Sequence, residues 1–206
     1  VIGLERAGGL WTVTLNRPDK ANSLTEAMLR DLCEMAEAAA KDDSLRALVL
    51  TGAGNRVFSA GADLEAAKAG LATSDLWERL SGAIAALPCL TIAALNGTLA
   101  GGATGMALAC DIRLAVPGAK FFYPVATLGY LPQPSDPARM AALIGPARTK
   151  MILLGAQKVM AEEALAWGLV DRLVAPDALM ETARDLAKAS LEGTPEVLRG
   201  IKALCV

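Results

Sequence analysis

The chain has 206 residues, 53% of them apolar and 20% charged, with a formal net charge of −2. This composition argues against disorder and for one packed globular domain. A pI near 5.3 offers no basic field for nucleic acid, and no apolar run is long enough to span a bilayer, so neither is expected as a partner.

In chain order, residues 9–16 (GLWTVTLN) alternate apolar and polar positions as a half-buried strand does. Ser23–Glu26 (SLTE) reads as a capping box in which the serine caps, and Leu24, Met28, Leu32, Met35 and Ala39 follow at helical spacing. Residues 45–54 predict a buried strand ending in a Gly-rich turn, and a helix runs from Asp75 to Ala86, stopped by Pro88. Residues 89–97 form another strand, feeding the glycine- and alanine-rich stretch NGTLAGGATGMALACD (96–111), whose second half, Gly102–Cys110, reads as helix. DIRLAV (111–116) and KFFYP (120–124) return as strands. The prolines at 124, 132, 134 and 137 then mark an ordered loop. Helical patterns resume at Arg139 and Lys150. AEEALAWG closes on a glycine C-cap at Gly168, LVDRLV is a short strand, and the last helices begin after Pro176 and at TPE (194–196). No simple repeat is visible, and strands alternating with helices argue an α/β fold.

The chain has no histidine. That removes a Ser-His-Asp or Cys-His nucleophile and the commonest zinc ligand, so no metal is expected. Cys33, Cys89, Cys110 and Cys205 form no CxxC pair; three lie in apolar segments as buried thiols, which points to a reduced, cytoplasmic protein. A second Gly-Ala loop, VFSAGADLE (57–65), precedes the first by about forty residues. Each loop could aim one bare backbone N–H at a common point, where two fixed donors would stabilise an enolate or a tetrahedral anion. A phosphate cradle at a helix N-terminus is the competing reading of such loops, but no GxGxxG is present.

NRPDKANSL, FSAGADL, NGTLAGGATGMALACD and AWGLVDRLV, in this order and spacing, resemble the successive signatures of the crotonase superfamily, the enoyl-CoA hydratase/isomerase family. The resemblance covers nearly the whole chain. It implies a spiral of ββα units (residues 1–160) with a short helical C-terminal segment (161–206), assembled as homotrimers or hexamers. It implies acyl-CoA thioester binding, with no cofactor beyond the CoA of the substrate. Carried over by position, the oxyanion donors are the N–H groups of Ala62 and Gly102. Ala60 meets the adenine through its carbonyl, Lys20 and Ala21 line the CoA, and Asp63 and Leu64 run along the pantetheine.

The chain departs from the family where protons move. The two glutamates of a hydratase fall on Gly105 and Val125, and the carboxylate of other branches falls on Gln133. Water addition needs a base and an acid, so ordinary hydration is expected to be slow, and restoring glutamate at 105 and 125 to raise it. Tyr123, Tyr130 and Asp136 are the nearby candidates. Asp136 competes with a reading as an exposed helix N-cap ahead of Pro137, and Tyr130 with one as a rim aromatic. The expectation is non-standard acyl-CoA chemistry, with a catalytically inactive acyl-CoA-binding homologue as the alternative. If the coding sequence ends after TPEVLRGIKALCV, the pocket should be more open than in relatives that continue, and the trimer interface altered.

Overall fold

The computed structural model describes residues 1–206. The chain opens on a hairpin of β1 (Ile2–Ala7) and β2 (Leu10–Leu15) around Gly8 and Gly9, both at positive φ as a two-residue hairpin turn requires. The first of these strands is not apparent in the sequence, because its outer residues face solvent. α1 (Glu26–Ala39) follows, capped by the Thr25 hydroxyl, which accepts from the Met28 N–H at 3.3 Å. The cap therefore lies two residues beyond the serine that the sequence pattern suggests.

Next come β3 (Ala47–Gly52), β4 (Val57–Ser59), α2 (Leu64–Lys68), α3 (Leu76–Ala85), β5 (Leu90–Leu95), β6 (Thr98–Ala100), α4 (Thr104–Leu108), β7 (Ile112–Ala115) and β8 (Lys120–Phe122). The proline-dense loop contains one short helix, α5 (Val125–Leu128). Behind it lie α6 (Asp136–Ile144) and α7 (Pro146–Leu153), each beginning a few residues before the sequence pattern suggests. The chain closes with β9 (Val159–Met160), α8 (Ala161–Trp167), β10 (Arg172–Leu173), α9 (Leu179–Glu192) and α10 (Pro195–Leu204). Gly168 caps α8 at φ 86°, as expected of a C-terminal glycine.

Two sheets organise these elements. The larger runs β1-β2-β3-β5-β7-β10, parallel except for the first hairpin; the smaller runs β4-β6-β8-β9, parallel except at β9. Each of β3, β5 and β7 hands the chain to the smaller sheet and then to a helix. The chain thus climbs three turns of a ββα spiral. The repeat is one of structure: apart from the Gly-Ala turns after β4 and β6, no simple sequence repeat accompanies it.

β3 is buried at every position, as a parallel strand covered on both faces should be. α1 and α3 pack together, with Leu29, Leu32 and Cys33 of the one and Trp77 and Leu80 of the other buried in the core, and α9, with the fully buried Ala183 and Ala187, packs on β3 and β5. Truncating a fully buried leucine such as Leu29 to alanine costs about 2–5 kcal/mol in such a core. Asp111, between α4 and β7, is structural: its carboxylate accepts from the Thr91 N–H at 2.9 Å and pairs with Lys202 of α10 at 2.9 Å. Cys33, Cys89 and Cys110 are buried and Cys205 is exposed. No helix is long and apolar enough to cross a membrane.

Candidate active site

The spiral brings the turns after β4 and β6 side by side, and glycine lets them touch. Gly61 has φ 89°, and a Cβ on it would lie 2.9 Å from the Ala100 carbonyl oxygen and 3.5 Å from the Gly102 nitrogen. Any side chain at 61 would push the two turns apart.

Residues 17–24 fix the first turn from behind. The Ala60 N–H donates to the Ala21 carbonyl at 3.0 Å, Leu24 N–H to Gly61 O at 2.8 Å, and Asp63 N–H to Leu24 O at 2.8 Å. Asn22, fully buried, donates to the carbonyls of Ala53 and Val57, and its own carbonyl accepts from the Ser59 hydroxyl. Arg17 donates to Asp63 at 2.8 Å and holds that carboxyl below the ordinary range, while the other Asp63 oxygen accepts from the N–H groups of Glu65 and Ala66 and so caps α2. In this arrangement the Ala62 N–H donates to no atom of the chain. Gly102 lies in the first turn of a short 3-10 segment (Gly101–Ala103), where N–H groups have no partner within the helix, and it too is free.

Ala62 and Gly102 both line a cavity of about 340 Å³. Its wall includes Ala60, Ala62, Leu64, Gly102, Trp77, Tyr123, Val125, Tyr130 and Gln133. Trp77 is locked by an indole N–H bond to the Leu71 carbonyl at 2.8 Å and closes the space behind Gly102, 3.1 Å from where a Cβ on that glycine would stand. Eight of the residues singled out from sequence thus meet at one wall: Ala60, Ala62, Leu64, Gly102, Tyr123, Val125, Tyr130 and Gln133. Lys20, Ala21 and Asp63 are not part of it. Lys20 is exposed on the turn Pro18–Lys20, Ala21 braces Ala60 through its carbonyl, and Asp63 spends its carboxylate on Arg17 and the start of α2.

Asp136 departs most from expectation. It is neither exposed nor a cap: Ser135 holds the N-cap position, and the Asp136 side chain is fully buried. One carboxylate oxygen, Oδ2, accepts from the Tyr123 hydroxyl at 2.9 Å. The other, Oδ1, has no hydrogen-bond partner, alone among the buried side-chain oxygens and nitrogens of the chain. Burial pushes the carboxyl up to about 6, with Glu78 adding to the rise while the Tyr123 hydrogen bond and Arg139 oppose it. Burial, and then the Asp136 charge, push the Tyr123 phenol well above its ordinary value.

The carboxylate fits because residue 105 is glycine. A Cβ at Gly105 would lie 2.6 Å from Asp136 Oδ1. A glutamate restored there would have to displace Asp136 and cannot simply fill a gap. Ser135 ties the start of α6 to α3 by donating both its N–H and its hydroxyl to Glu78, and Arg139 donates to Ser81 at 2.9 Å. The pairing of residues 105, 123 and 136 joins three elements, and no local pattern in the sequence announces it.

A spiral of ββα units with two backbone turns touching over a mostly apolar cavity defines a crotonase-type protein. Residues 5–205 match the sequence profile of the family described as enoyl-CoA hydratase/isomerase, and the chain belongs to that family. It is 34% identical over 205 residues to a short-chain-enoyl-CoA hydratase of Clostridium acetobutylicum, covering 95% of this chain and 77% of that one. It is 35% identical to a carnitinyl-CoA dehydratase of Citrobacter koseri, covering 97% and 77%. Among solved structures, an enoyl-CoA hydratase from Bacillus anthracis superposes with a TM-score of 0.91 at 32% identity, covering 98% of this chain and 81% of that one.

Proposed function

We propose that the cavity binds an acyl-CoA thioester with its carbonyl oxygen between the N–H groups of Ala62 and Gly102, which stabilise the negative charge of an enolate. The observation that carries this reading is the pair of unsatisfied N–H groups held on either side of the Gly61 contact. Fixed donors in a dry site act on developing charge without reorganising, and each is worth ~10²–10³ in rate. On this reading the CoA lies outward along Ala60, Leu64 and the Lys20–Ala21 turn, and the acyl chain lies inward between Trp77, Val125 and Tyr130. The reaction is an acyl-CoA transformation of the lyase or isomerase kind, other than ordinary hydration. Gly105 and Val125 cannot carry protons, and no carboxylate lies in the cavity wall to activate water. That last observation also favours a second reading, a homologue that binds acyl-CoA without turnover.

Calorimetric titration with butyryl-CoA tests the binding. Micromolar to submillimolar affinity is the expected outcome, and no heat at millimolar ligand would sink the proposal.

We further propose a homotrimer or hexamer. Leu128, Leu131 and Leu154, each at least 60% exposed, lie around the α5–α7 region, Leu131 sharing one cavity with Leu128 and another with Leu154, and leave more apolar surface than a lone subunit comfortably keeps in water. Sedimentation velocity at micromolar concentration should show at least three subunits; a monomer throughout would refute the assembly.

A further inference from the structure

We propose that Tyr123 and Asp136 form a proton-carrying pair that moves one proton between two carbons of the bound acyl group. This makes the chemistry an allylic shift, 3-enoyl to 2-enoyl thioester, instead of water addition. The inference rests on the thioester reading above.

Three observations meet at this pair. Tyr123 forms part of the cavity wall shared with Ala62 and Gly102. Behind it, its hydroxyl donates to Asp136 at 2.9 Å and accepts from the Gln133 N–H at 3.3 Å, which fixes the phenol oxygen. Asp136 is fully buried with one oxygen unpartnered, and it occupies the space that a side chain at 105 would need. A buried carboxylate without full hydrogen bonding is destabilising, and a fold has no structural need for one beside an apolar cavity. Groups poised in this way mark sites of proton transfer.

The step balances without a co-reactant. An α-carbon C–H bond of the 3-enoyl thioester breaks, and its electron pair enters the thioester carbonyl to give a dienolate whose oxygen sits between the two N–H groups. The proton passes to the Tyr123 oxygen as the phenol's own proton passes to Asp136 Oδ2, so no tyrosinate accumulates. Asp136 then returns its proton through Tyr123 to the γ-carbon, and the double bond emerges conjugated with the carbonyl. Nothing is oxidised or reduced, and no water enters. Hydration would require a second carrier to activate water while the first protonates carbon, and the cavity wall holds no carboxylate to serve as that base. In these roles Tyr123 is the catalytic residue, and Asp136 is the positioning residue that acts through it.

The charged groups facing Asp136 are Glu78 from α3 and Arg139 from its own helix. α4 carries no charged residue and approaches it at Gly105, and the segment after β8 presents Tyr123. Glu78 is engaged with Ser135 and Arg139 with Ser81, so Asp136 remains the group free to exchange a proton.

The test follows the conversion of trans-3-hexenoyl-CoA to its conjugated 2-isomer by ultraviolet absorbance, with parallel titrations of butyryl-CoA. For the wild type, kcat/KM should rise through about pH 6 to a plateau. Asp136→Asn and Tyr123→Phe should each lower kcat ~10²–10⁴-fold, with butyryl-CoA affinity within about threefold of wild type. The double variant should be little slower than the worse single one, because the two act as a unit. The inflection near pH 6 should vanish in Asp136→Asn, a change that a merely structural role would not produce. Wild-type protein that binds butyryl-CoA but does not isomerise overturns the proposal and leaves the binding reading standing. So does an Asp136→Asn variant that keeps its rate and its inflection. Wild-type protein that binds no thioester overturns both. Should Asp136→Asn fail to fold, Tyr123→Phe decides alone: an unchanged kcat refutes the relay.

Discussion

Gly61 and Gly105 both stand where no Cβ fits, but different things occupy the space. At Gly61 it is backbone: the Ala100 carbonyl lies 2.9 Å from the missing atom. At Gly105 it is a side chain, the Asp136 carboxylate at 2.6 Å. A backbone neighbour cannot be substituted away, whereas a side chain can. The first glycine is therefore a fixed requirement of two turns that must touch, and the second is one half of an exchange whose other half is thirty-one residues along the chain.

The largest effect should come from the backbone side of this comparison. Gly102→Pro removes one N–H outright and should lower thioester turnover ~10²–10³-fold in steady-state kinetics. A rate within tenfold of wild type would place the second donor elsewhere. The exchange at 105 should show itself as coupling. Gly105→Glu alone should destabilise the fold by about 3 kcal/mol in urea unfolding, since it overpacks a buried site and sets two carboxylates together. Adding Asp136→Ala should recover at least half of that loss. Additive costs would mean that the two positions do not share a space. Gly61→Ala should have no comparable rescue among side-chain substitutions nearby, because its obstacle is a carbonyl and its φ of 89° is itself unfavourable to alanine.

Asp136 also makes stability depend on pH. Its folded-state value, near 6, lies above the ordinary 3.8, so folding favours the protonated form. The contribution is fully present below pH 3.8 and is lost as pH rises through about 6. At ~1.36 kcal/mol per pH unit this amounts to at most about 3 kcal/mol. Unfolding free energies of Asp136→Asn, measured from pH 4 to 8, should lack this fall, so the variant gains on wild type as pH rises; parallel curves would contradict the burial argument. The smallest effect involves neither glycine's contact. Thr25→Ala should cost about 1 kcal/mol, the value of the α1 cap, in the same unfolding assay.

What could be read from the sequence follows the same division between backbone and side chain. The two Gly-Ala turns were legible because side-chain-free runs leaving a strand are a local pattern, while residues 62 and 102 within them are singled out by the family resemblance alone. The parallel strands were legible as apolar runs. β1 was not, since its burial is slight and hairpin pairing supplies its order. The α1 cap was placed on Ser23 in place of Thr25 because both fit a cap motif, and only tertiary pairing decides: the Ser23 hydroxyl is taken up by Arg17. Asp136 reads locally as a helix-start residue before proline. Its burial is set by Tyr123 and by the absence of a side chain at 105, and neither is near it in sequence.

The two ends of the cavity also differ in what inheritance can alter. The donors proposed to hold the carbonyl are main-chain groups, braced by Asn22 and by the contact at Gly61, and few single-residue changes can delete them. The opposite end is lined by Val125, Tyr130, Leu131 and Gln133, side chains carried on one surface segment between β8 and α6. On the proposed thioester reading, replacing that segment would rewrite the acyl group accepted, and the placing of protons, without disturbing the donors to the carbonyl. A lineage can therefore change reactions by editing about a dozen consecutive codons.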